Sequence, residues 1–171
     1  KGNSPADYTW EVTDKQGIKY IYGGEGAVLK GTITDASGQS REVITEWKLK
    51  RVEETHGDYI EYVYETADEP VRGGLVAKAI YLKEVRAGNS GQAPHTVVVL
   101  ESSKQKRLKN NNARYGFLTS SNRLLEKLTV HFQGSTLRSY AFTYSEGAFN
   151  KDVLTGVKQL DDKGAEVSYQ N

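Results

Sequence analysis

Residues 10–23 read WEVTDKQGIKYIYG, and the pattern of these residues indicates how the chain folds. Apolar and polar side chains alternate on both sides of a central turn: Trp10 and Val12 precede the turn, and Tyr20 and Tyr22 follow it. Such alternation is typical of a β-strand that buries one face. The turn, DKQG, combines an Asp that can accept bonds from nearby amides with a Gly that tolerates a positive φ. The stretch therefore predicts a β-hairpin.

Similar units follow along the chain, each with apolar alternation on both sides of a turn that contains Gly. They cover residues 47–64, 128–144 and 154–169. A single hairpin cannot bury its apolar face alone, so neighbouring copies are expected to lie side by side. The pattern predicts an all-β fold of successive antiparallel hairpins with about ten to twelve strands. We expect them to form a curved, twisted sheet or an incomplete barrel.

The composition excludes several classes of protein. The chain has 171 residues, with 23 Lys+Arg and 22 Asp+Glu, so the net charge is +1, and it contains no Cys and no Met. Without cysteine, a disulfide scaffold and a Cys-ligated zinc site are impossible. The near-zero net charge gives no overall attraction to nucleic acid or anionic lipid. No apolar run approaches the roughly 20 residues of a membrane-spanning helix.

The domain organisation is expected to be simple. Domains commonly contain about 100–200 residues, so the length suits one domain. We find no linker that would divide the chain, and we interpret residues 86–94 and 104–114 as two long polar loops between strands. Because the sequence contains no Met, we expect that the chain does not begin at its own initiator residue. We therefore expect residues 1–171 to be a single β-hairpin domain that is a fragment of a longer chain.

The residues that could carry catalysis or bind metal form no recognisable pattern. His56, His95 and His131 are far apart in the sequence, whereas a metal site needs converging ligands. No G-x-S-x-G elbow occurs, and the carboxylate pairs at residues 53–54 and 161–162 flank turns. The sequence therefore predicts no catalytic residue, no metal site, no cofactor and no enzymatic activity.

Two other motifs have both a functional and a structural interpretation. Residues 23–26, GGEG, resemble a phosphate-binding loop, but strand-like residues follow where such a loop needs a helix. We interpret them as a hairpin connection. The basic cluster at residues 104–114 precedes Tyr115 and Phe117, and bases beside aromatic rings can bind single-stranded nucleic acid. We favour a solvated loop and expect no nucleic-acid partner.

Tyrosine is the dominant aromatic residue, with 11 Tyr against 4 Phe and 2 Trp. A Tyr ring can pack on a sheet while its hydroxyl stays at a wet edge. We therefore predict a half-buried sheet face with an architectural role. The alternative is an exposed aromatic platform for a glycan or a peptide. The residues assigned to this face are Trp10, Tyr20, Tyr22, Trp47, Tyr62, Tyr64, Tyr140 and Tyr144.

The motifs resemble a known family region in content and order. Residues 10–23 fit W-x-V-x-D-x-x-G-x-x-Y-x-Y-G, and residues 47–64 resemble W-x-L-x-x-V-x-D-x-x-G-N-x-I-x-Y-x-Y. Residues 79–81, 123–130 and 138–144 fit the I-x-Y, R-L-x-x-I-x-V and R-x-Y-x-L-x-Y motifs that follow. Together they are similar to the SpvB/TcdB-like region found in the B component of insecticidal toxin complexes and in related Rhs/YD-repeat proteins.

The resemblance implies a function as well as a fold. It implies a bacterial protein that is secreted or displayed on the cell surface, with YD-repeat-like hairpins that help to build a shell around a toxic fragment. The module would be structural and non-enzymatic, and its partners would be other domains of the same chain or toxin-complex components. The alternative is a cell-surface module that binds carbohydrate or a partner protein. Asp58 and Glu54 depart from the family pattern, which usually has Asn and Asp at these positions.

Overall fold

The computed structural model describes residues 8–167, whose regular secondary structure is almost entirely β-strand. Within that range thirteen strands occur, and one 3-10 turn, Ala148–Asn150, precedes the last strand. The strands are β1 Thr9–Thr13, β2 Lys19–Gly23, β3 Val28–Thr34, β4 Ser40–Trp47, β5 Leu49–Glu53, β6 Asp58–Pro70, β7 Val76–Asn89, β8 Thr96–Glu101, β9 Asn111–Asn112, β10 Thr119–Ser120, β11 Lys127–Phe132, β12 Ser135–Glu146 and β13 Asp152–Leu160.

Nine of these strands form one antiparallel path in the order β1-β2-β5-β6-β7-β8-β11-β12-β13. Each strand on the path pairs with its neighbour through an antiparallel ladder. The path begins at β1 and ends at β13, so over residues 8–167 the sheet is open. The predicted all-β class, the antiparallel hairpins and the open sheet are therefore confirmed.

The turns that punctuate the sheet follow the predicted chemistry. In the first hairpin, Asp14 Oδ1 accepts bonds from the backbone N–H groups of Gln16 and Ile18 at 2.8 and 3.0 Å. Gly17 adopts a φ of 85°, which a residue with a side chain rarely does. After β13 the chain turns back, and Glu166 bridges to Leu160, so the fourth hairpin begins as expected. Its Tyr169 lies outside the described residues.

Two insertions, which the sequence pattern did not predict, lie between strands of the main sheet. β3 and β4 form a separate two-stranded sheet between β2 and β5. Between β8 and β11, the chain contributes β10, which pairs with β9 and, in parallel, with β7. These insertions raise the strand count above the predicted ten to twelve.

Trp47 belongs to a different hairpin from the one predicted. It ends β4 opposite Val28, whereas the hairpin that leads to Tyr64 begins at Leu49. The break occurs at Lys48, whose N–H donates to the Ala27 carbonyl at 2.8 Å and whose carbonyl accepts from the Gly23 N–H at 2.9 Å. Both bonds join residues distant in sequence, so local alternation did not reveal them.

The loop predicted at residues 86–94 is shorter than expected. β7 continues to Asn89, and residues 86–89 pair with residues 58–61 of β6. The polar composition suggested a loop, but Arg86 and Ala87 are half-buried and Gly88 is buried in the ladder with β6. The connection to β8 begins at Ser90 and is closed by the Gln92 N–H, which donates to the Asn89 carbonyl at 3.0 Å.

The buried apolar side chains are concentrated in one region, which we call the packed junction: residues 24–48, 65–82 and 102–126. Glycine permits close packing there, because a Cβ on Gly31 would lie 2.3 Å from the Phe117 ring and one on Gly116 would lie 2.9 Å from Ile33. We call the other strands, with the remaining parts of β6 and β7, the open sheet. The buried apolar residues, all in the packed junction, are Ala27, Val28, Leu29, Ala77, Ala79 and Leu124.

Candidate interaction face

The register of the open sheet collects its apolar side chains on one side. Residues paired directly across an antiparallel ladder point to the same face. In the first hairpin Trp10 lies opposite Tyr22 and Val12 lies opposite Tyr20. The next ladder places Tyr20 opposite Val52, so the same face continues onto β5. The pattern of the opening stretch therefore extends beyond its own hairpin.

The same face continues to the far edge of the sheet. Following the pairs from β5 to β13 gives a continuous set of apolar side chains, which we call the apolar face. It contains Trp10, Val12, Tyr20, Tyr22, Val52, Ile60, Tyr62, Tyr64, Val85, Ala87, Val98, Leu100, Leu128, Val130, Phe132, Tyr140, Phe142, Tyr144, Leu154 and Val157.

The opposite side of the open sheet is charged. Arg86 pairs with Glu84 at 2.7 Å and with Glu61 at 3.7 Å, and Arg51 pairs with Glu53 at 3.0 Å. Further pairs of this kind join Lys19 to Glu11 and Lys127 to Glu101. Partly exposed ion pairs contribute only about 0–1 kcal/mol each. Thr129 and Ser139 on the same side are 8% and 3% exposed, so this side is charged and partly covered.

The predicted tyrosines lie where a packing role requires them. Tyr20, Tyr22, Tyr62, Tyr64, Tyr140 and Tyr144 share the apolar face, and each of the six is half-buried. The exposed apolar side chains lie near the edges of the face instead. Trp10 is 53% exposed, and Val12 and Val157 are each 54% exposed. The tyrosine rings therefore do not form a bare aromatic platform, whereas the edge strands β1 and β13 offer apolar surface.

Two tyrosine hydroxyls bond to the backbone of an adjacent hairpin segment. Tyr64 donates to the Leu49 carbonyl, and Tyr144 donates to the Leu125 carbonyl, both at 2.8 Å. Burial raises the pKa of Tyr64, with the neighbouring Tyr62 adding to the effect. Burial also raises the pKa of Tyr144. A raised pKa keeps the hydroxyl protonated and able to donate these bonds.

Tyr22, Tyr64 and Tyr144 each lie opposite a point where the next strand carries an extra residue. The ladder shifts by one residue beside Tyr22, Tyr64 and Tyr144, where the neighbouring strands β5, β7 and β13 carry the additional residue. Such an insertion is a β-bulge, which bends its strand and increases the local twist. Three hairpins thus share both a tyrosine and a bulge at the same place.

The two tryptophans meet where the apolar face borders the packed junction. The rings of Trp10 and Trp47 are 6.0 Å apart and nearly perpendicular, a favourable edge-to-face geometry. Trp47 also packs on Gly23, where a Cβ would lie 2.5 Å from the indole ring. Its Nε1 is buried and has no acceptor among the described residues. Trp47 is therefore a packing residue beside the apolar face and not part of its exposed surface.

The sequence analysis missed a polar cluster inside the packed junction. Glu69 is only 3% exposed and accepts bonds from Arg123 Nε at 2.8 Å and from the hydroxyls of Tyr81 and Ser120, each at 3.1 Å. Burial by itself would raise the pKa of Glu69, but these hydrogen bonds outweigh it, so the pKa is lowered. Arg123 also bonds Glu65 at 3.0 Å. The cluster joins β6 to the segment before β11.

No sequence signal separated Glu69 from its neighbours. Residues 65–69 contain three acidic side chains, and such a composition is also usual for a solvated strand. The sequence indicated Arg123 only as the first residue of a family motif, without a partner. Only the fold brings these residues together, because they are 54 positions apart.

One cavity of about 610 Å³ lies in the packed junction between residues 24–30 and the β6–β7 pair, and its lining is not a recognisable catalytic set. Its charged groups include Asp68 and Lys78, which form an ion pair at 2.7 Å. Within residues 8–167, no three His, Asp or Glu side chains are grouped as metal ligands would be. The same range holds no helix long and apolar enough to cross a membrane.

Comparison with known proteins identifies similar folds but no similar sequence. No family model matches the chain, and neither does any curated protein. The N-terminal domain of the effector protein SpvB from Salmonella typhimurium strain LT2 has a similar structure, with a TM-score of 0.70 and 17% sequence identity. The match covers 94% of this chain and 63% of that chain, so this chain spans less than two thirds of the SpvB structure.

Two toxin-complex structures are similar over a small part of their length. The crystal structure of TcdB2-TccC3-TEV matches with a TM-score of 0.69 and 15% identity, over 98% of this chain and 10% of that one. The Tc holotoxin pore of Photorhabdus luminescens matches with a TM-score of 0.65 and 16% identity, over 96% and 10%. This chain therefore has the fold of the SpvB N-terminal domain and of the matching tenth of the toxin-complex chains, which confirms, for the fold, the SpvB/TcdB-like resemblance of its hairpin motifs.

Proposed function

We propose that the chain is a non-enzymatic structural module of an exported, toxin-complex-like protein, and that other parts of that protein or complex cover its apolar face. The observation that carries the proposal is the continuity of this face across nine strands, with residues at both edges more than half exposed. Scattered exposed apolar residues are normal on a protein surface, but a contiguous patch is typical of an interface.

The energetics favour a covering partner over a free surface. Fully burying a Val or Leu side chain contributes about 1.5–3 kcal/mol, so covering Val12, Leu154 and Val157 is worth several kcal/mol before any other contact. The charged opposite side offers no such gain, because its side chains already pair with one another. We therefore assign the charged side to solvent and the apolar face to the partner.

The fold comparisons support the kind of partner. The toxin-complex chains with this fold are about ten times longer than the matched part, so in them the module is surrounded by other sequence. By analogy, we propose that the sheet forms part of a shell and that its contacts are with other domains or components of the complex. Export is part of this proposal, and it predicts that the protein is recovered from the cell surface or the culture medium.

Site-specific cross-linking tests the assignment of the two faces. Photoreactive benzoylphenylalanine would replace Val12 or Val157 on the apolar face of the full-length protein, and Glu11 or Lys158 on the charged side as matched controls. We expect cross-links to other protein segments from Val12 and Val157 and few from the controls. Equal cross-linking from both faces, or none from the apolar face, would contradict the proposal.

The alternative function is a cell-surface module that binds carbohydrate or a partner protein through its aromatic residues. The exposed ring of Trp10 at the β1 edge favours it, whereas the half-buried tyrosines do not. A glycan array probed with the labelled chain tests this alternative. A hit that disappears in Trp10→Ala and persists in Val157→Ser would support carbohydrate binding, and an array without hits would count against it.

A further inference from the structure

A second surface lies where the segment after β8 meets the turn between β12 and β13, and it is independent of the apolar face assigned above. The N–H of Arg107 donates to Asp152 Oδ2 at 2.8 Å, and its guanidinium forms an ion pair with the same carboxylate. The Asp152 side chain is only 4% exposed. Because 45 positions separate the two residues, this clamp makes one surface from two distant parts of the chain.

A cavity of about 410 Å³ opens beside the clamp. Leu108 and the buried Leu124 provide its apolar lining, and three lysines, Lys106, Lys109 and Lys151, are also among its lining residues. A concave site with an apolar lining and a few charged groups is the usual form of a binding site for a side chain or a small ligand. The three lysines give this one a preference for anions.

These lysines have no acidic partner within the described part of the chain. Lys106 Nζ donates to the Ser121 carbonyl at 2.7 Å, and Lys109 Nζ donates to the Gln105 side chain. These acceptors are uncharged, so they orient the ammonium groups without neutralising them. Asp152, which also lines the cavity, is already paired with Arg107.

An exposed aromatic ring stands at the tip of the β12–β13 hairpin. Phe149 is 87% exposed and has a φ of 59°, and Asn150 beside it has a φ of 56°. A bulky residue in this left-handed region costs on the order of 1–2 kcal/mol, so the turn holds the ring outward at a cost. The Gly147 N–H closes the turn by donating to the Lys151 carbonyl at 2.8 Å.

The aromatic residues that made nucleic acid a candidate for this segment are engaged elsewhere. Phe117 packs against Gly31 in the packed junction. Tyr115 is covered by the Arg114 guanidinium, 4.7 Å from its ring. The bases of a single strand would need free rings to stack on. The basic segment itself therefore offers no free ring, and the exposed ring of Phe149 beside it belongs to the turn before β13.

We propose that this surface, which we call the basic corner (Lys106, Leu108, Lys109, Leu124, Phe149 and Lys151), docks an acidic segment of a partner polypeptide. Glutamate or aspartate carboxylates of that segment bind the three ammonium groups. An apolar or aromatic side chain of the same segment enters the cavity against Leu108 and Leu124, beside Phe149. The concave shape favours a peptide segment over the flat surface of an anionic membrane.

Binding of the 171-residue chain to defined acidic polymers tests the proposal. The probes are poly-L-glutamate and a random glutamate–tyrosine copolymer, compared with vesicles of phosphatidylcholine and phosphatidylglycerol. We expect both polymers to bind, the copolymer more tightly because its rings can enter the cavity. The triple variant Lys106→Gln, Lys109→Gln, Lys151→Gln should bind about tenfold more weakly, since each partly exposed charge contributes modestly.

The matched control removes the same charge elsewhere. Lys15→Gln, Lys83→Gln and Lys163→Gln together change three exposed lysines that form no ion pair among the described residues, and should leave binding unchanged. Phe149→Asn suits the left-handed backbone and should weaken only the copolymer. The Lys151 side chain makes no hydrogen bond within residues 8–167. Lys151→Gln alone therefore keeps the test valid if the triple variant does not fold.

Three results would overturn the proposal. The first is equal weakening by the two triple variants, which would show attraction to net charge alone. The second is binding to the anionic vesicles with no binding to either polymer, which would assign the basic corner to a lipid surface. The third is no measurable binding to the polymers. Circular dichroism confirms that each variant keeps its β-sheet.

Discussion

The packed junction and the open sheet are built from the same kind of alternating strand, yet they bury their side chains to very different degrees. Leu29 of the packed junction is 4% exposed, whereas Leu154 of the open sheet is 49% exposed. The difference is the number of layers. In the packed junction, β3 contacts β7 and the segment after β8 closes over β3. Residue type alone therefore does not decide burial, because a second layer is needed.

The two regions should consequently serve different purposes. The packed junction holds the buried apolar residues and the Glu69–Arg123 pair, so it supplies most of the stability of the isolated chain. The open sheet holds its strands together by backbone ladders and half-buried rings, and it keeps apolar surface free for association. Paired substitutions, one in each region, test this division.

The largest contrast is expected between two arginines. Arg123→Ala removes the partner of a buried carboxylate and should lower the free energy of unfolding by about 3–5 kcal/mol. Arg86→Ala, in the open sheet, breaks partly exposed pairs with Glu84 and Glu61 and should cost less than about 1 kcal/mol. Urea unfolding followed by tryptophan fluorescence measures both. Similar losses of unfolding free energy for the two variants would contradict the division into a stabilising junction and an open sheet.

A leucine pair should give the next largest contrast. Leu29→Ala leaves a cavity in the packed junction and should destabilise the chain by about 2–4 kcal/mol. Leu154→Ala shortens a half-exposed side chain and should cost below about 1 kcal/mol. Thermal unfolding by circular dichroism compares the two melting temperatures. A loss for Leu154→Ala as large as that for Leu29→Ala would mean that the apolar face is already covered within the isolated chain.

Within the open sheet, tyrosines that bond a backbone carbonyl can be compared with tyrosines on the same strands that do not. Tyr64→Phe and Tyr144→Phe each remove a hydroxyl that bonds a backbone carbonyl, and should cost about 0.5–1.5 kcal/mol. Tyr62→Phe and Tyr140→Phe serve as matched controls on the same strands, and should have smaller effects. Chemical denaturation with all four variants provides the measurement. If the four losses are equal, the hydroxyl bonds do not stabilise the hairpins.

Acid should weaken the packed junction before the open sheet. The pKa of Glu69 is lowered, and hydrogen bonds from Ser103 and the Lys104 backbone also lower the pKa of Glu126. The unfolded chain takes up these protons at about pH 4.3 and the native state only at lower pH. Their stabilisation is therefore complete above that pH and is lost as the pH falls through the lowered native values.

Hydrogen exchange at pH 7 and at pH 3.5 measures this effect region by region. We expect amides of residues 65–82 and 102–126 to lose protection first, with a smaller change in β1 and β2. Glu69→Gln should flatten the pH dependence of the packed junction, although it lowers stability at neutral pH. Uniform loss of protection across the chain would show that the two regions unfold as one unit.

Local patterns predicted the hairpins well because their causes are local. Alternation and an Asp–Gly turn fixed the first hairpin within residues 10–23, and the same rules found the hairpins that end at Tyr64 and Tyr144. The role of Lys48 was not predictable, because it depends on backbone bonds to Gly23 and Ala27 across a long insertion.

The candidate surfaces likewise combine features that were predictable from local sequence with features that were not. The alternating pattern predicted which tyrosines share a face, since a strand sends every second side chain to the same side. It did not predict how exposed they are, because exposure depends on whether another layer is present. Neither the Glu69–Arg123 pair nor the clamp between Arg107 and Asp152 had a sequence signal. Both depend on contacts between segments more than forty residues apart.

The bulges beside Tyr22, Tyr64 and Tyr144 have a geometrical consequence for any longer sheet built from this unit. Each hairpin carries its own bend, so curvature accumulates with the number of hairpins and does not depend on contacts across the enclosed space. Adding hairpins would lengthen the arc without changing its radius. The radius of a curved wall made from such units would then be set by each repeat, and the number of repeats would set only the length of the arc.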